Sequence, residues 1–464
     1  MSRKIIPITP EPAEQTIYVR SVKGWFNTWR WVMVWFTQLL YYGLPWLTWD
    51  DRQAVLFDLS VRRFHIFGLT FTPHDLILLT LLLAISAFSL FLFTAVAGRL
   101  WCGYTCPQTV YSEIFAWIER RVEGDRNERM RRDRGPRNFD YYSHKFVKHA
   151  LWIFVALWTG FTFVGYFTPI RQLGLDILHL DVGPWATFWT LFYSFATYGN
   201  AGWLREKVCK YMCPYARFQG VMFDRDTLTV SYDSRRGEPR GSRPRSANPR
   251  ELGLGDCIDC KLCVQVCPVG IDIRDGLQYE CIDCGACIDA CNDVMDRMGY
   301  DRGLIRYGTE SGLSLKDSAG AVLRRLLRPR VVVYTFLLWA LIAIFAGSIW
   351  SHSPIRAEVL RDRAVIMRTT EDGEAENLYQ AHLINTTSRP ITVKIDVTGL
   401  PDVSLPENER EFTVDGQSAR LVVLHVRLPY GHEVARGTHP IHFIISEVND
   451  GGATIKADSS FIVR

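Results

Sequence analysis

Five apolar segments of membrane-spanning length, twelve cysteines confined between Cys102 and Cys291, and a final stretch of alternating β-branched runs are the main features of this 464-residue sequence. Together they predict a multidomain membrane protein: a five-helix transmembrane α bundle, a cysteine-rich α+β domain of the bacterial two-cluster ferredoxin-like type, and an all-β immunoglobulin-like C-terminal domain. The composition agrees, with 48% hydrophobic residues, 15 Trp and 26 Phe. A net charge of +4 gives no global basic field for nucleic acid.

A bilayer core about 30 Å thick needs roughly 20 apolar residues in a helix, because lipid offers no partner to a free backbone group. The spans are expected at Trp31 to Trp49, Leu76 to Val96, Phe146 to Phe167, Trp185 to Trp203 and Val331 to Trp350. Tryptophans at several of these ends fit an interfacial belt. The loop from Arg99 to Lys145 holds ten basic residues, that from Asp50 to His74 three, and that from Thr168 to Pro184 one. The basic loop belongs inside, which predicts a cytoplasmic N-terminal tail (residues 1–30), a cytoplasmic cysteine-rich region and a C-terminal domain outside. Met1 to Gly24 is polar and lacks the features of a cleaved signal.

Two runs carry the clearest chemistry: Cys257-x-x-Cys260-x-x-Cys263-x-x-x-Cys267-Pro268 and Cys281-x-x-Cys284-x-x-Cys287-x-x-x-Cys291. Three thiolates at this spacing wrap one corner of a cubane cluster, and in two-cluster ferredoxins the fourth cysteine of each run serves the other cluster. The expected ligand sets for two [4Fe-4S] clusters are therefore Cys257, Cys260, Cys263 and Cys291, and Cys267, Cys281, Cys284 and Cys287. Asp259, Gly285 and Pro268 are turn formers that suit amides folding over sulfide. A pair of zinc ribbons would not need the third x-x-Cys or the Cys-Pro. One departure is Cys291-Asn292, where Cys-Pro is usual. The ferredoxin domain is placed at residues 251–300, after an Arg/Gly/Pro/Ser-rich segment, 231–250, that reads as a solvated linker.

A second thiol pattern is duplicated within residues 31–230: Cys102-Gly-Tyr-Thr-Cys106-Pro107 after the second span and Cys209-Lys-Tyr-Met-Cys213-Pro214 after the fourth. Proline suits the first turn of a helix, so Cys106 and Cys213 are expected at helix N-termini, where the dipole lowers a thiol pKa. Four such thiols could bind a soft metal such as Cu(I), form a redox-active disulfide, or pack as structural thiols. Haem has little support: His149 and His144 are close together near one helix end, and His65, His74, His179 and His352 read as surface residues of outside loops or interfaces. No catalytic residue is assigned.

Residues 354–464 show short runs at Asn377 to Ile384, Ile391 to Val397, Arg420 to Leu428, His439 to Ile445 and Ala453 to Val463, with turn signals between them. Roughly seven strands without a disulfide suggest an immunoglobulin-like sandwich. Domains of this kind bind partners or act as spacers, and this one shows no catalytic constellation.

The run Gly98-Arg99-Leu100-Trp101-Cys102-Gly103-Tyr104-Thr105-Cys106-Pro107-Gln108-Thr109-Val110, the two ferredoxin motifs, five spans and the β-rich tail together resemble the FixG/CcoG/RdxA family of cbb3-type cytochrome oxidase accessory proteins. The resemblance covers nearly the whole chain. It implies a bacterial inner-membrane protein that supports oxidase assembly by reducing Cu(II) to Cu(I), with Cys102, Cys106, Cys209 and Cys213 as copper contacts. It also implies oxidase-assembly or copper-delivery partners and a cytoplasmic electron donor. Two other readings stand beside it: a quinol-linked electron donor similar to the membrane polyferredoxins of periplasmic nitrate reduction, and a non-enzymatic assembly scaffold with structural clusters.

Overall fold

The computed structural model describes residues 17–49, 52–249, 251–309, 327–350, 355–362, 367–370, 372–385, 387, 389–416, 418–429, 431, 434–448 and 454–463. Most of the expected N-terminal tail, His352, the side chain of His74 and the Asp450 to Gly452 turn lie outside them.

The chain begins with α1 (Trp25–Gly43) and then forms short strands β1 (Thr48–Trp49), β2 (Arg52–Gln53), β3 (Val55–Asp58), β4 (Arg63–Ile66) and β5 (Leu69–Phe71). Helices α2 (Leu76–Ala97), α3 (Leu100–Tyr104), α4 (Pro107–Glu123), α5 (Arg126–Arg134), α6 (Phe139–Val164), α7 (Ile170–His179) and α8 (Pro184–Thr197) follow. Two π turns, Tyr198–Leu204 and Val208–Met212, lead to α9 (Pro214–Met222), β6 (Thr229–Tyr232) and α10 (Ser234–Gly237). The cysteine-rich segment contributes α11 (Leu262–Gln265), α12 (Ala286–Met298) and β7 (Ile305–Gly308), before α13 (Pro329–Trp350). Strands β8 (Ile355–Arg361), β9 (Arg368–Thr369), β10 (Ala375–Asn385), β11 (Ile391–Thr398), β12 (Glu411–Val414), β13 (Ala419–Leu428), β14 (Gly437–Glu447) and β15 (Thr454–Val463) complete it. The contacts divide into two units: residues 1–45 with 82–342, and residues 46–81 with 343–464.

Among the described residues three helices, α2, α6 and α13, are long and apolar enough to cross a membrane, against the five spans expected. The expected first span starts and ends too late. Pro45 ends the helix because it has no amide N–H to continue the hydrogen-bond ladder; Leu44 keeps an α-region backbone and the chain tightens into a 3-10 turn over Leu44–Trp46, so α1 runs from Trp25 to Gly43 and includes Arg30 and Gln38. The expected fourth span is α-helical for only 14 residues before it widens into the first π turn. The third starts earlier than expected because Asn138 caps α6, its Oδ1 accepting the Tyr141 amide at 3.0 Å.

In the first unit α6 packs on α8 and α4. The α6–α8 approach depends on Gly160, where a Cβ would stand 2.4 Å from the Thr190 carbonyl oxygen. Phe115 of α4 stacks on Trp152 of α6 at 5.2 Å, and the Trp152 indole donates to the Phe115 carbonyl at 3.1 Å. Residues 231–250 are tied down, contrary to the expected solvated linker. Ser231 and Tyr232 belong to β6, which pairs antiparallel with β7. The Arg243 guanidinium is buried and donates to Gly255 O at 2.8 Å and Tyr300 Oη at 3.0 Å. The cysteine-rich module therefore closes through one strand pair, β6 from one end and β7 from the other, instead of hanging on a flexible tether.

The second unit holds two four-stranded antiparallel sheets, one ordered β13-β10-β8 with β9 also on β10, the other β12-β11-β14-β15. Alternate residues of β10, β11, β13 and β14 meet in one apolar core. Tyr379 and Phe443 are fully buried and contact edge to face at 5.1 Å, and the Tyr379 hydroxyl donates to Ser460 O at 2.8 Å. The loop expected between the first two spans contains β3–β5 as a three-stranded sheet. His65, expected at the surface, is buried there and hydrogen-bonds Thr70 at 3.0 Å, because β4 turns it inward. His179 is exposed, as expected.

Truncating Phe443 to Ala should destabilise the sandwich by about 3–5 kcal/mol, the usual cost of emptying a large aromatic site. The expected readout is a lower urea midpoint for the C-terminal transition with the protein's iron content unchanged.

Candidate iron-sulfur cages and the membrane-face thiols

The loops Cys257–Cys263 and Cys281–Cys287 adopt the same backbone form. Asp259 and Asp283 have φ of 52° and 51°, and Lys261 and Gly285 have φ of 55° and 73°. These left-handed residues turn successive amides toward the cysteines, and α11 and α12 start directly after them. Gly285 also meets a close neighbour, since a Cβ would stand 2.7 Å from Phe26 Cβ.

Cys257, Cys260, Cys263 and Cys291 line one cavity, with Tyr232, Arg274 and aliphatic side chains. Cys267, Cys281, Cys284 and Cys287 line a second, to which Cys263 also contributes. Among the described residues no three His, Cys, Asp or Glu side chains stand close enough to share a single ion. Four cysteines around each cavity match the ligand number of a cubane cluster. The two cages fit a [4Fe-4S] cluster each.

None of the twelve cysteines is paired in a disulfide. Burial pushes Cys267 up to about 11 and Cys263 and Cys291 up to about 12, and also raises Cys281, Cys284 and Cys287. Desolvation dominates, so thiolates in these cages need compensating positive charge of the kind an iron core supplies. Smaller opposing effects come from amides of Val269, Gly270 and Ile271 on Cys267, and from the Arg30 guanidinium on Cys284.

The second cage is fixed to α1, α3 and α9 by residues that the sequence pattern did not single out. Asp283, 1% exposed, accepts the amides of Arg99 and Val230 at 3.0 Å each. Arg99 donates in turn to Cys281 O at 3.3 Å and Ala216 O at 2.7 Å. Asp289 of α12 accepts the amides of Phe26 and Asn27, at 3.3 and 2.8 Å, and so satisfies the first turn of α1. The repeat of Cys-Ile-Asp-Cys at 257–260 and 281–284 was the available signal for Asp283.

The two thiol pairs interlock. Cys106 and Cys213 are the N-caps of α4 and α9, as expected, and each amide closes a six-residue turn, to Trp101 O at 3.0 Å and Val208 O at 2.8 Å. Gln219 of α9 reaches the first pair, its Nε2–H donating to the Cys102 sulfur at 3.4 Å. Gln108 of α4 reaches the second motif's approach, donating to Asn200 O at 2.9 Å and Arg205 O at 3.1 Å. The four thiols lie within electrostatic range of one another. The expected pKa lowering at the helix N-terminus does not hold for Cys106. Burial raises it despite the opposing amides of Thr109 and Gln108, and burial also pushes Cys102 up to about 11 and Cys209 up to about 12. As in the two cages, no three of these thiols stand at single-ion spacing.

Comparisons with known proteins agree with this layout. A family described as "4Fe-4S dicluster domain" matches residues 204–310, and one described as "4Fe-4S binding domain" matches 79–123, which contains Cys102 and Cys106. Residues 345–464 match "IG-like fold at C-terminal of FixG, putative oxidoreductase". Nitrogen fixation protein FixG of Rhizobium meliloti is 37% identical over 84% of this chain and 80% of its own length. Protein RdxA of Cereibacter sphaeroides is 37% identical over 91% of both chains, and Protein RdxB of the same organism is 38% identical over 84% of this chain and 83% of its own. With identity at this level running across the bundle, both cysteine cages and the sandwich, the chain belongs to the FixG/RdxA family of membrane iron-sulfur proteins.

Proposed function

We propose that this protein is a five-span protein of the bacterial inner membrane that transfers electrons to Cu(II), yielding Cu(I) for assembly of a cbb3-type cytochrome oxidase. The N-terminus and both cages face the cytoplasm and the sandwich faces the periplasm. The observation that carries the reading is the contact between the second cysteine cage and the membrane-face thiol motif: Cys102 packs into the same apolar cluster as Ile282 and Cys284. Beside α2, α6 and α13, the other two spans are α1 and α8 with its π extension. Trp35, Phe36 and Leu39 on one, and Phe188, Phe192 and Phe195 on the other, are exposed apolar side chains suited to lipid. The concentration of basic residues in the loop from Arg99 to Lys145 supports the orientation.

Cys257, Cys260, Cys263 and Cys291 hold one cluster, and Cys267, Cys281, Cys284 and Cys287 the other. Each cluster, when bound, stores and releases one electron. The chain's own groups do the rest. Amides at the left-handed turns and the buried Arg30 stabilise negative sulfur, while the apolar walls keep water out. Cys102, Cys106, Cys209 and Cys213 offer soft sulfur near the second cage, suited to copper in its reduced state. The partners are copper-delivery or oxidase-assembly proteins and a cytoplasmic electron donor.

A second reading of the four thiols follows from the iron-sulfur description that fits residues 79–123: they bind iron-sulfur instead of copper. Iron per chain separates the two readings, since a third cubane raises the content by half.

Two outcomes are expected. Replacing Cys291 by Ser should remove the cluster of the Cys257 run and leave that of the Cys281 run, so iron falls to about half; loss confined to the other signal in electron paramagnetic resonance (EPR) would refute the crossed assignment. Anaerobic protein with chemically reduced clusters should be reoxidised by Cu(II). The variant with Cys102, Cys106, Cys209 and Cys213 changed to Ser should fail to react while keeping its EPR signal. Wild-type protein that also fails to react points to a different acceptor.

A further inference from the structure

The two cage loops share one backbone but not one environment. In the first, Asp259 is partly exposed and pairs with Arg274 at 2.6 Å, and Cys260 and Lys261 are exposed. In the second, the equivalent Asp283 is buried and spends its two oxygens on the amides of Arg99 and Val230. Cys284 and Gly285 are also buried. Beside this loop lies Gly103, in the middle of the Cys102–Cys106 motif. A Cβ on Gly103 would stand 2.6 Å from Ile282 O and 2.9 Å from Cys284 Cα, closer than real Cβ atoms come to backbone. Glycine is what allows α3 to lie against the loop.

We infer that the two cages are ordered: the Cys257 cage is the terminal that exchanges electrons with a partner in water, the Cys281 cage is the terminal that serves the membrane-face thiols, and Gly103 is the positioning residue that sets their contact. Cys263, which lines both cavities, lies between the terminals. The ordering concerns one-electron exchange with no bond made or broken, each donor losing the electron its acceptor gains. It rests on the reading that both cages hold clusters.

Three observations select this order over its reverse. The duplicated loops give each cysteine an equivalent, and of the pair Cys260 and Cys284 only Cys260 is exposed. The membrane-face backbone bonds to the second loop's aspartate and has no such bond to Asp259 among those of the described residues. Cys102 packs into the apolar cluster that contains Cys267, Cys284 and Cys287 of the second cage and, among the described residues, no cysteine of the first.

The test uses the full chain in detergent, anaerobic and reduced with dithionite. The EPR signal altered by Cys260→Ser identifies the first cage. A water-soluble dysprosium chelate should then speed the relaxation of that signal in wild-type protein and leave the other unchanged; equal effects on both, or the opposite pattern, would overturn the ordering. Gly103→Val should shift the midpoint potential and line shape of the second signal alone at full iron content, with Gly103→Ala intermediate. Gly220→Ala, where the added carbon meets open space, should shift neither. A Gly103→Val shift confined to the Cys260 signal, or no shift in either, would also overturn the inference. Wild-type protein that carries no iron would overturn the cluster reading itself, a result distinct from either failure of the ordering.

Discussion

Asp283 is a carboxylate almost without water, and the arrangement of the cysteine-rich module depends on how it is satisfied. A buried carboxylate costs several kcal/mol unless its oxygens are bonded. Burial raises its pKa, and the Val230 and Arg99 amides pull the other way. One of those amides comes from the strand that closes the module and the other from the turn that opens the first thiol motif. The same side chain therefore fixes the second cage to β6 and to the membrane-face helices at once. The Tyr307 hydroxyl donates to the carbonyl of the same residue, adding β7 to the junction.

Around that junction, buried charge is consistently shared. Glu113 bridges Arg30 of α1 and Arg120 of α4 at 2.8 and 2.9 Å. Glu119 meets Arg129 at 2.6 Å and Arg205 at 3.1 Å, and Glu123 meets Lys148 at 2.9 Å. Such networks add little net stability, since desolvation offsets the attraction, but removing one member strands the others in low dielectric. They give the α1–α4–α6 region one arrangement. The thiols sit on this frame, and at Cys106 burial prevails over the helix-end amides of Thr109 and Gln108.

Much of this was legible in the chain because its signals are local. Cysteine spacing set out two loops, proline after Cys106 and Cys213 placed them at helix N-termini, and alternation located the long strands of the sandwich to within two residues at most ends. The misreadings have local causes too. The aromatic-rich composition of α1 continues past Leu44-Pro45, but Pro45 has no amide N–H and ends the helix. An Arg-rich segment was read as solvated, but Arg243 finds backbone carbonyls and Tyr300 inside the module. Composition reports the solubility of a segment, not the partners that folding brings to it.

The sequence by itself determined which atoms are available: eight thiols in two runs, two more pairs on duplicated motifs, and apolar length for a membrane. Those properties follow from spacing and side-chain type within a few residues. Only the tertiary structure decided which cage meets the membrane-face thiols and which meets solvent. Asp259 and Asp283 occupy equivalent places in nearly identical loops, so no local pattern separates them. What separates them is the arrival of Arg99 and Gly103, about 180 residues away in the chain, against one loop and not the other.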